Sequence, residues 1–453
     1  MLDHEFMILL DAYRRLIRRN ARPNIQKMIA KTHPADLAGL FRSFSDIERE
    51  LVFELIPDHS YKAEFLPELD QAVLIDLLKS MEPMHIVDIL NEMAADDQAD
   101  IVAQLPEEIG HQVLEMMATT DSEDLEELMM YPPDTAGGIM VPLPFKMHEE
   151  DTVQDAVSVI RKQQDLEMVF YIYVVDDNDK LSGVLSVRQL LTVAPETKLK
   201  SIMMTRTVSV QPETDQEEVA RIISRYDFLA VPVIDRDNTL LGIVTVDDII
   251  DVIREEATED FLQMAGVGKD REILLKSTFE AVKIRFPWLF ATFLGGFVVS
   301  MIIMSFQHMI DKFIILAAFM PIVMGMSGNV GTQSSTIIVR GIATGRINVK
   351  EILSVFLGQL KIGLLLGAAY GVLLALFSIL FYHNDLSIIR IGISIGISIT
   401  LSMLIAAING TLIPILLDRL RIDPAVATGP IVATIGDIVG VTVYYVTATL
   451  LLL

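Results

Sequence analysis

The sequence predicts a multi-domain membrane protein, with an all-α domain, an α+β domain and an α-helical transmembrane domain of five spans. The net charge of the 453-residue chain is −25 at pH 7, but its distribution is uneven. From Ile284 onward nine basic and six acidic side chains occur, so residues 1–283 carry a net charge of −28. Five long apolar stretches follow this boundary. Acidity and high hydropathy rarely share one domain, so we expect an acidic soluble part followed by a membrane part.

Composition excludes several function classes. A surface this negative repels phosphate, so nucleic acid is not an expected partner. The chain has no cysteine, which excludes disulfides, thiolate metal sites and cysteine nucleophiles. No basic segment followed by an apolar core opens the sequence, so we expect the soluble part to be cytoplasmic. No nucleophile, base or cofactor pattern indicates an enzyme.

Residues 1–135 have the apolar spacing of short helices. Leu37, Leu40 and Phe41 recur at intervals of three and four, and no strand pattern interrupts the segment. Related phrases such as ADLAGLF and ADIVAQL return along it. Short helix pairs that resemble one another predict an acidic all-α superhelical array.

Residues 136–254 contain a duplication. The phrase that begins at Ile172 matches the segment that begins at Ala230, and the aligned residues are offset by 59, so Gly183 aligns with Gly242. Each copy, about 136–198 and 199–254, has two β-rich runs joined by an Asp/Asn turn and flanked by helices. The pair resembles tandem cystathionine-β-synthase (CBS) modules, many of which bind adenosine nucleotides such as ATP through a Thr/Ser-x-x-Asp segment. Only the second copy has it, from Thr245 to Asp248; a structural or metal-sensing role stays open.

An acidic connecting helix is predicted over residues 255–283, and its carboxylates begin upstream in VDDIIDVIREEATED. The spacing places several of them on one face, where like charges repel. Either solvent covers this face or divalent cations neutralise it. The carboxylates are Asp248, Asp251, Glu255 and Glu259.

Five spans are predicted in residues 284–453, over 286–306, 313–339, 352–382, 387–417 and 425–453. Each is long enough to cross a bilayer. Basic residues cluster before the first span and in alternate loops; they are Lys276, Lys283, Arg285, Arg340, Arg346, Lys350, Arg419 and Arg421. The positive-inside rule therefore places the N-terminus in the cytoplasm and the C-terminus outside the cell membrane.

Asp437 is the one charged residue between Pro424 and Leu453. A carboxylate at the centre of a span costs roughly 2.5–3.5 kcal/mol on insertion scales, so water, a counter-charge or a cation must compensate it. The simpler interpretation is that Asp437 is a carboxylate at a helix end or makes a structural hydrogen bond. Span two contains Asn329 among glycines and is interrupted by Pro321. Helix packing explains the glycines, but it does not readily explain Asn329 together with Asp437.

The order of these segments, with GNVGTQ in span two and DPAVATGP…GDIVG in span five, resembles the MgtE family of magnesium channels. The resemblance covers nearly the whole chain. It implies a homodimer in the lipid bilayer with a Mg²⁺ pore on the two-fold axis, lined by spans two and five. The pathway residues it implies are Asp437, Asn329, Gly328, Ala433, Gly429 and Asp423.

The resemblance also implies cytosolic Mg²⁺ sensing, in which bound Mg²⁺ draws the acidic domains together and the connecting helix closes the pore. Asp437 and Asp423 would be metal ligands of the pathway. The implied sensor ligands are Asp215, Glu217, Asp227, Asp248, Asp251, Glu256, Glu259 and Asp260, with Asp96 and Asp100 in the helical domain. The acidic motif AADDQAD is short, so the alignment can shift by one residue, to Asp97.

Other functions fit less well. A membrane protease needs His-Glu-x-x-His on a membrane helix, which the sequence lacks. A mid-span carboxylate disfavours an anion channel. A proton-coupled or broader divalent-cation transporter regulated through the CBS pair stays open as the alternative to a Mg²⁺ channel.

Overall fold

A computed structural model describes residues 3–117, 119–142, 145–162, 170–268, 277–347, 352–381 and 387–453. The chain divides into two compact units, Met1–Ile253 and Arg254–Leu453. Lys276 and Lys350 of the loop-charge argument, Tyr382 at the end of predicted span three, and residues 269–276 of the predicted connecting helix lie outside the described residues.

The first unit begins with short helices, as the apolar spacing predicts. Several begin with an N-cap or a proline: Asp58 accepts a hydrogen bond from the Ser60 amide, and Pro34 and Pro83 occupy first-turn positions where a missing amide hydrogen has no consequence. The helices are α1 Asp3–Arg18, α2 Arg22–Ile29, α3 Pro34–Phe41, α4 Asp46–Glu54, α5 His59–Phe65, α6 Gln71–Leu78, α7 Pro83–Leu90, α8 Ala95–Gln104, α9 Glu107–Met116 and α10 Thr119–Met129.

Two three-stranded sheets follow, one for each copy of the duplication. The strands are β1 Val141–Pro142, β2 Lys146–His148, β3 Tyr171–Val175, β4 Leu181–Ser186, β5 Ala230–Ile234 and β6 Leu240–Thr245. Strand orders are β2-β3-β4 and β1-β6-β5, so β1 pairs with the second copy. The associated helices are α11 Val153–Lys162, α12 Val187–Leu190, α13 Gln216–Tyr226 and α14 Val246–Met264, with a 3₁₀ turn at Leu199–Ser201.

The two hairpins repeat in atomic detail. Both are antiparallel and both have a register shift at the same place, after Val174 and after Val233. In the turns, Asp176 and Asp235 each accept two backbone amide hydrogen bonds, at 2.7–2.9 Å. These bonds stabilise the ionised form and lower the pKa of both carboxyl groups.

One apolar core connects the helical array to the second CBS copy. It includes Leu90 and Val102 from the helices and Val231, Val244 and Ile249 from the second copy. The first copy has a separate core. The second copy therefore packs with the N-terminal helices as one body, whereas the first copy joins it through a small cluster and through the hydrogen bond from Asn238 Nδ2 to the Leu181 carbonyl, at 2.8 Å.

The connecting helix differs from the prediction. Helix α14 ends at Met264, and Gly266 and Gly268 follow with φ angles of +70° and +101°. Glycine accepts this left-handed conformation, which interrupts the helix. A new helix begins at Thr278, after a capping box in which the Ser277 amide donates to Glu280 Oε2 at 3.0 Å. The prediction of one helix to Lys283 was therefore wrong.

Within the described ranges, five helices are long and apolar enough to cross a membrane: α15 Thr278–Ser305, α17 Ile315–Ala343, α18 Ile352–Phe381, α19 Ser387–Arg419 and α21 Pro430–Leu452. The short helices α16 Gln307–Lys312 and α20 Ala425–Thr428 lie between them. Five spans and the mostly helical fold class are confirmed.

Two details of the predicted spans change. Pro321 does not interrupt span two, because it lies in the second turn of a continuous α17. Span five divides at Gly429, so its long helix begins at Pro430 and not at residue 425. Proline cannot donate the amide bond that would continue α20, but it suits the first position of a new helix.

Helices α18 and α19 approach until their backbones touch. A Cβ atom on Gly371 would lie 2.5 Å from the Gly396 carbonyl oxygen, and one on Gly367 would lie 2.8 Å from the Thr400 carbonyl oxygen. The Thr400 hydroxyl donates to the Gly367 carbonyl at 3.0 Å. Small residues thus hold this pair together, as is typical in membranes.

Candidate ion pathway and acidic clusters

Helices α17 and α21 meet through glycines beside Asp437. A Cβ atom on Gly328 would lie 3.2 Å from Asp437 Oδ1 and 4.0 Å from the Ala433 carbonyl oxygen. A Cβ atom on Gly436 would lie 3.5 Å from the Gly328 Cα atom. The missing side chains let the two backbones approach, and they leave the Asp437 carboxylate beside the α17 backbone. The structure therefore brings together Gly328, Ala433 and Asp437, three of the pathway residues that the resemblance implies.

Asp437 is half-buried, whereas Asn329 is exposed. Along α17, the exposed positions include a polar stripe with a spacing of three or four residues, beside which Ile322 and Ile337 are also exposed. The stripe consists of Gly325, Asn329, Gln333, Thr336 and Arg340. Uncovered amides at membrane depth need a partner in protein or in water. The stripe is thus a surface suited to another protein or to a hydrated path, and unsuited to lipid.

Asp423, which the resemblance implies as a pathway residue, takes part in a hydrogen-bonded contact. Asp423 Oδ1 accepts from the amide of Ala425, the first residue of α20, at 2.8 Å. Asp423 Oδ2 accepts from Gln263 Nε2 at 2.8 Å, and the same nitrogen donates to Glu259 Oε1 at 3.0 Å. The end of α14 therefore contacts the segment that leads into α21.

Gly429 permits this contact. A Cβ atom there would lie 3.0 Å from the Met264 carbonyl oxygen and 3.2 Å from the Gln263 carbonyl oxygen. Gly429 is buried and has φ −80° and ψ −129°. The predicted pathway residue Gly429 is thus a backbone contact between α14 and the start of α21.

Asp260 lies in the same acidic group, called here the entrance cluster: Glu256, Glu259, Asp260 and Asp423. Burial, followed by the charges of Asp423 and Glu256, raises the pKa of Asp260 to about 6, and Arg340 opposes the shift. The neighbouring negative charges that raise the pKa of Asp260 also repel its ionised carboxylate. A cation would relieve this repulsion.

A second group, the interdomain cluster, forms within the first unit where α8 and α14 begin: Asp96, Asp97, Asp247 and Asp248. Asp96 is 8% exposed and its Oδ1 atom has no hydrogen-bond partner among the described residues. Asp248 is half-buried and hydrogen-bonded to the Thr245 hydroxyl. The structure brings predicted ligands Asp96 and Asp248 together and adds Asp97, the alternative register.

Burial is the largest cause of a raised pKa at Asp96, Asp97 and Asp248, each to about 7 from 3.8, and their mutual charges add to it. Because the folded pKa exceeds the unfolded one, protonation stabilises the folded cluster. That stabilisation is fully present below about pH 4 and is lost as pH rises through about 7. At neutral pH, bound cations could replace those protons.

The remaining predicted ligands lie on exposed helix ends or faces. Asp215 caps α13 and accepts from the Glu217 amide at 2.8 Å, and Asp227 ends that helix at φ +54°. Asp100 and Asp251 are exposed on α8 and α14. Across the described ranges, no three His, Asp or Glu side chains converge closely enough to form a metal cage. The clusters therefore suit hydrated or bridging cations better than a pre-formed cage.

The families that match this chain cover the same segments described above. A family profile described as a divalent cation transporter matches residues 320–447, the MgtE intracellular N domain matches 32–134, and CBS domains match 136–196 and 199–255. The chain is 35% identical over 437 residues to the magnesium transporter MgtE of Bacillus subtilis, covering 96% of this chain and 95% of that protein. The chain belongs to the MgtE family.

A further MgtE relative, from Thermus thermophilus, is 34% identical over 94% of this chain and 95% of its own length. Among solved structures, the cytosolic domain of the Mg²⁺ channel MgtE in complex with ATP is similar, with 33% identity and a TM-score of 0.51 over 54% of this chain and 99% of that chain. The resemblance noted from the sequence is thus confirmed at the level of family and fold.

The sequence does not identify Gln263 and Arg340 as neighbours of the entrance cluster. Gln263 lies four residues after Glu259, a helical spacing that predicts a contact between them. Its contact with Asp423, 160 residues away, leaves no local signal.

Proposed function

We propose that this MgtE-family chain is the subunit of a Mg²⁺-selective channel that mediates Mg²⁺ uptake and is closed by Mg²⁺ bound to its acidic cytosolic clusters. The observation that carries the proposal is the half-buried Asp437 at the α17–α21 glycine contact, where its carboxylate lies beside Gly328 and the exposed Asn329 follows Gly328 along α17. Membership in a family of divalent cation transporters supports it.

The polar stripe supports a homodimer. Asn329 and Gln333 are exposed on a membrane helix, and a second copy that covers them across a two-fold axis would satisfy them. Such a pairing places one Asp437 from each subunit beside a shared path. Mg²⁺ gives up its water reluctantly, so two carboxylates and nearby backbone carbonyls would hold the hydrated ion through its shell.

The two acidic clusters support negative feedback. At low Mg²⁺ the carboxylates of each cluster repel, and bound Mg²⁺ removes the repulsion. Mg²⁺ can close the channel only through higher affinity for the closed arrangement, and several weak sites together supply that difference. Positive charge in alternate loops supports a cytoplasmic N-terminus and an outer C-terminus.

An adenosine nucleotide at the second CBS copy is part of the proposal, supported by the Thr245–Asp248 pair and by the ATP complex of the similar cytosolic domain. In the first copy, the amide oxygen of Gln189 accepts from the Ser186 amide and hydroxyl and offers no carboxylate to a ribose. Because Asp248 also belongs to the interdomain cluster, nucleotide and cation binding would be coupled there.

The test is flux in proteoliposomes, with Mg²⁺ varied separately on each side. Asp437→Ala should abolish selective Mg²⁺ uptake, and Asp311→Ala, a carboxylate on the short helix α16, should leave it unchanged. Mg²⁺ flux in the Asp437→Ala variant equal to that of the unaltered chain would overturn the pore assignment.

The alternative is a proton-coupled or broader divalent-cation transporter, in which Asp437 carries protons. The same vesicles separate the two functions. Flux driven by a membrane potential and indifferent to a pH gradient supports the channel. Flux that follows an imposed pH gradient supports the coupled transporter. Neither function requires an enzymatic step.

A further inference from the structure

Gln263 is hydrogen-bonded to two members of the entrance cluster. Its side chain is 1% exposed, and its Nε2 atom donates to Asp423 Oδ2 at 2.8 Å and to Glu259 Oε1 at 3.0 Å. One neutral residue thus uses both hydrogens of its amide on two carboxylates. Glu259 belongs to α14, and Asp423 lies just before α20, so the amide joins two separate segments of the second unit.

The chemistry of the neighbours determines the orientation of this amide. The reverse orientation would turn the amide oxygen toward two carboxylate oxygens, and none of the three could donate a hydrogen bond. Hydrogen bonds to charged acceptors are about twice as strong as those between neutral groups. Gln263 therefore offsets part of the repulsion between Glu259 and Asp423 without bringing a charge.

The backbone around Gln263 also contacts the residues at the start of α21. The carbonyl oxygens of Gln263 and Met264 approach Gly429, and a Cβ atom on Gly266 would lie 2.5 Å from Pro430 Cγ. Pro430 is the first residue of the helix that carries Asp437, two turns further on. Withdrawal of the α14 end from α21 requires that the Gln263–Asp423 hydrogen bond break and that Gly429 be uncovered.

We infer that Gln263 is a metal-independent latch, a positioning residue that holds the end of α14 on the entrance of the ion pathway by hydrogen bonds alone. The inference deepens the proposed function and rests on it for the consequence in transport. Mg²⁺ then supplies only the remainder of the closing free energy. Gln263 lowers the cytosolic Mg²⁺ concentration at which the channel closes.

Two substitutions predict shifts of opposite sign. Gln263→Met keeps the length and volume of the side chain but donates nothing, so Glu259 and Asp423 repel, and half-closure should require about tenfold more internal Mg²⁺, the size of one charge-assisted hydrogen bond. Gln263→Lys keeps a donor and adds a positive charge, so half-closure should occur at lower Mg²⁺. A defect of packing alone would shift both variants in one direction.

The experiment measures two quantities on the full-length chain. Hydrogen exchange in metal-free buffer reports the latch directly: the segment around residues 259–266 should exchange about tenfold faster in Gln263→Met than in the unaltered chain. Flux in proteoliposomes at graded internal Mg²⁺ reports the closing concentration. Thr258→Val, an exposed change on the same helix, is the matched control and should alter neither.

The outcomes are separable. Faster exchange in Gln263→Met, with opposite shifts of the closing concentration in the Met and Lys variants, supports the latch. Exchange equal to that of the unaltered chain, or shifts of the same sign, overturns it. A chain that passes no Mg²⁺ refutes the proposed function, and the exchange measurement still decides the latch.

Discussion

Mg²⁺ binding at the interdomain cluster should release protons. At pH 7 a carboxyl group with a pKa of about 7 is protonated in roughly half of the molecules, and burial places Asp96, Asp97 and Asp248 at that value. A cation binds the ionised form and displaces the proton. Ordinary carboxyl groups, with pKa values near 4, are already ionised at pH 7 and release none.

The size of the release follows from these values. Three half-protonated groups hold about 1.5 protons per chain at pH 7, and at pH 8.5 the same groups hold about 0.1. Release should therefore fall more than tenfold between the two conditions. Replacing Asp97 with Asn should reduce the release at pH 7 by more than one third, because it removes one titrating group and also a charge that raises the pKa of Asp96.

The assay is a Mg²⁺ titration of the full-length chain in detergent, in weak buffer with a pH indicator. Asp176→Asn is the control, because its carboxyl group has a lowered pKa and is ionised at pH 7. Equal release at pH 7 and pH 8.5, or undiminished release after Asp96, Asp97 and Asp248 are all changed to Asn, would refute the electrostatic account of the cluster.

Three further predictions concern close contacts. Gly371→Ala places a Cβ atom 2.5 Å from a backbone oxygen of α19 and should destabilise the membrane unit by about 1–3 kcal/mol. The measurement is a lower unfolding midpoint. Gly358→Ala is the control, because open space surrounds Gly358, and it should leave the midpoint unchanged. Gly328→Ala adds a Cβ atom 3.2 Å from the Asp437 carboxylate and should reduce Mg²⁺ flux at least several-fold, with Gly296→Ala as an unhindered control. Asn238→Ala removes the bond to Leu181 and strains a residue at φ +69°, so amide exchange in the β3–β4 hairpin should accelerate.

Much of the fold follows from local sequence patterns. Apolar runs of span length identify five membrane helices, and the 59-residue duplication identifies two sheets whose hairpins share their register. Each of these features depends on the periodicity of a single segment, and that periodicity is visible in the sequence itself. The end of α14 is not evident from the sequence, because its helical spacing continues toward Met264 and only the fold shows that Gly266 and Gly268 adopt left-handed φ angles.

The candidate sites were predictable by residue type but not by contact. Asp437 is conspicuous because it is a single charge in an apolar helix. Within AADDQAD, in contrast, helical spacing does not reveal which consecutive aspartate faces α14, and the structure buries Asp96 and also brings in Asp97. Gln263 carries no charge, and its partner Asp423 is distant in sequence, so only the folded arrangement reveals it.

The backbone contact between α18 and α19 also bears on how the membrane unit is made. The two helices are consecutive in the chain, and the small residues that join them, such as Gly367 and Gly371, need no other span to complete the contact. As soon as α19 leaves the ribosome and enters the bilayer, it meets a matching surface that is already present. The pair can thus form a helical hairpin during synthesis, against which α21, which is made after it, then packs.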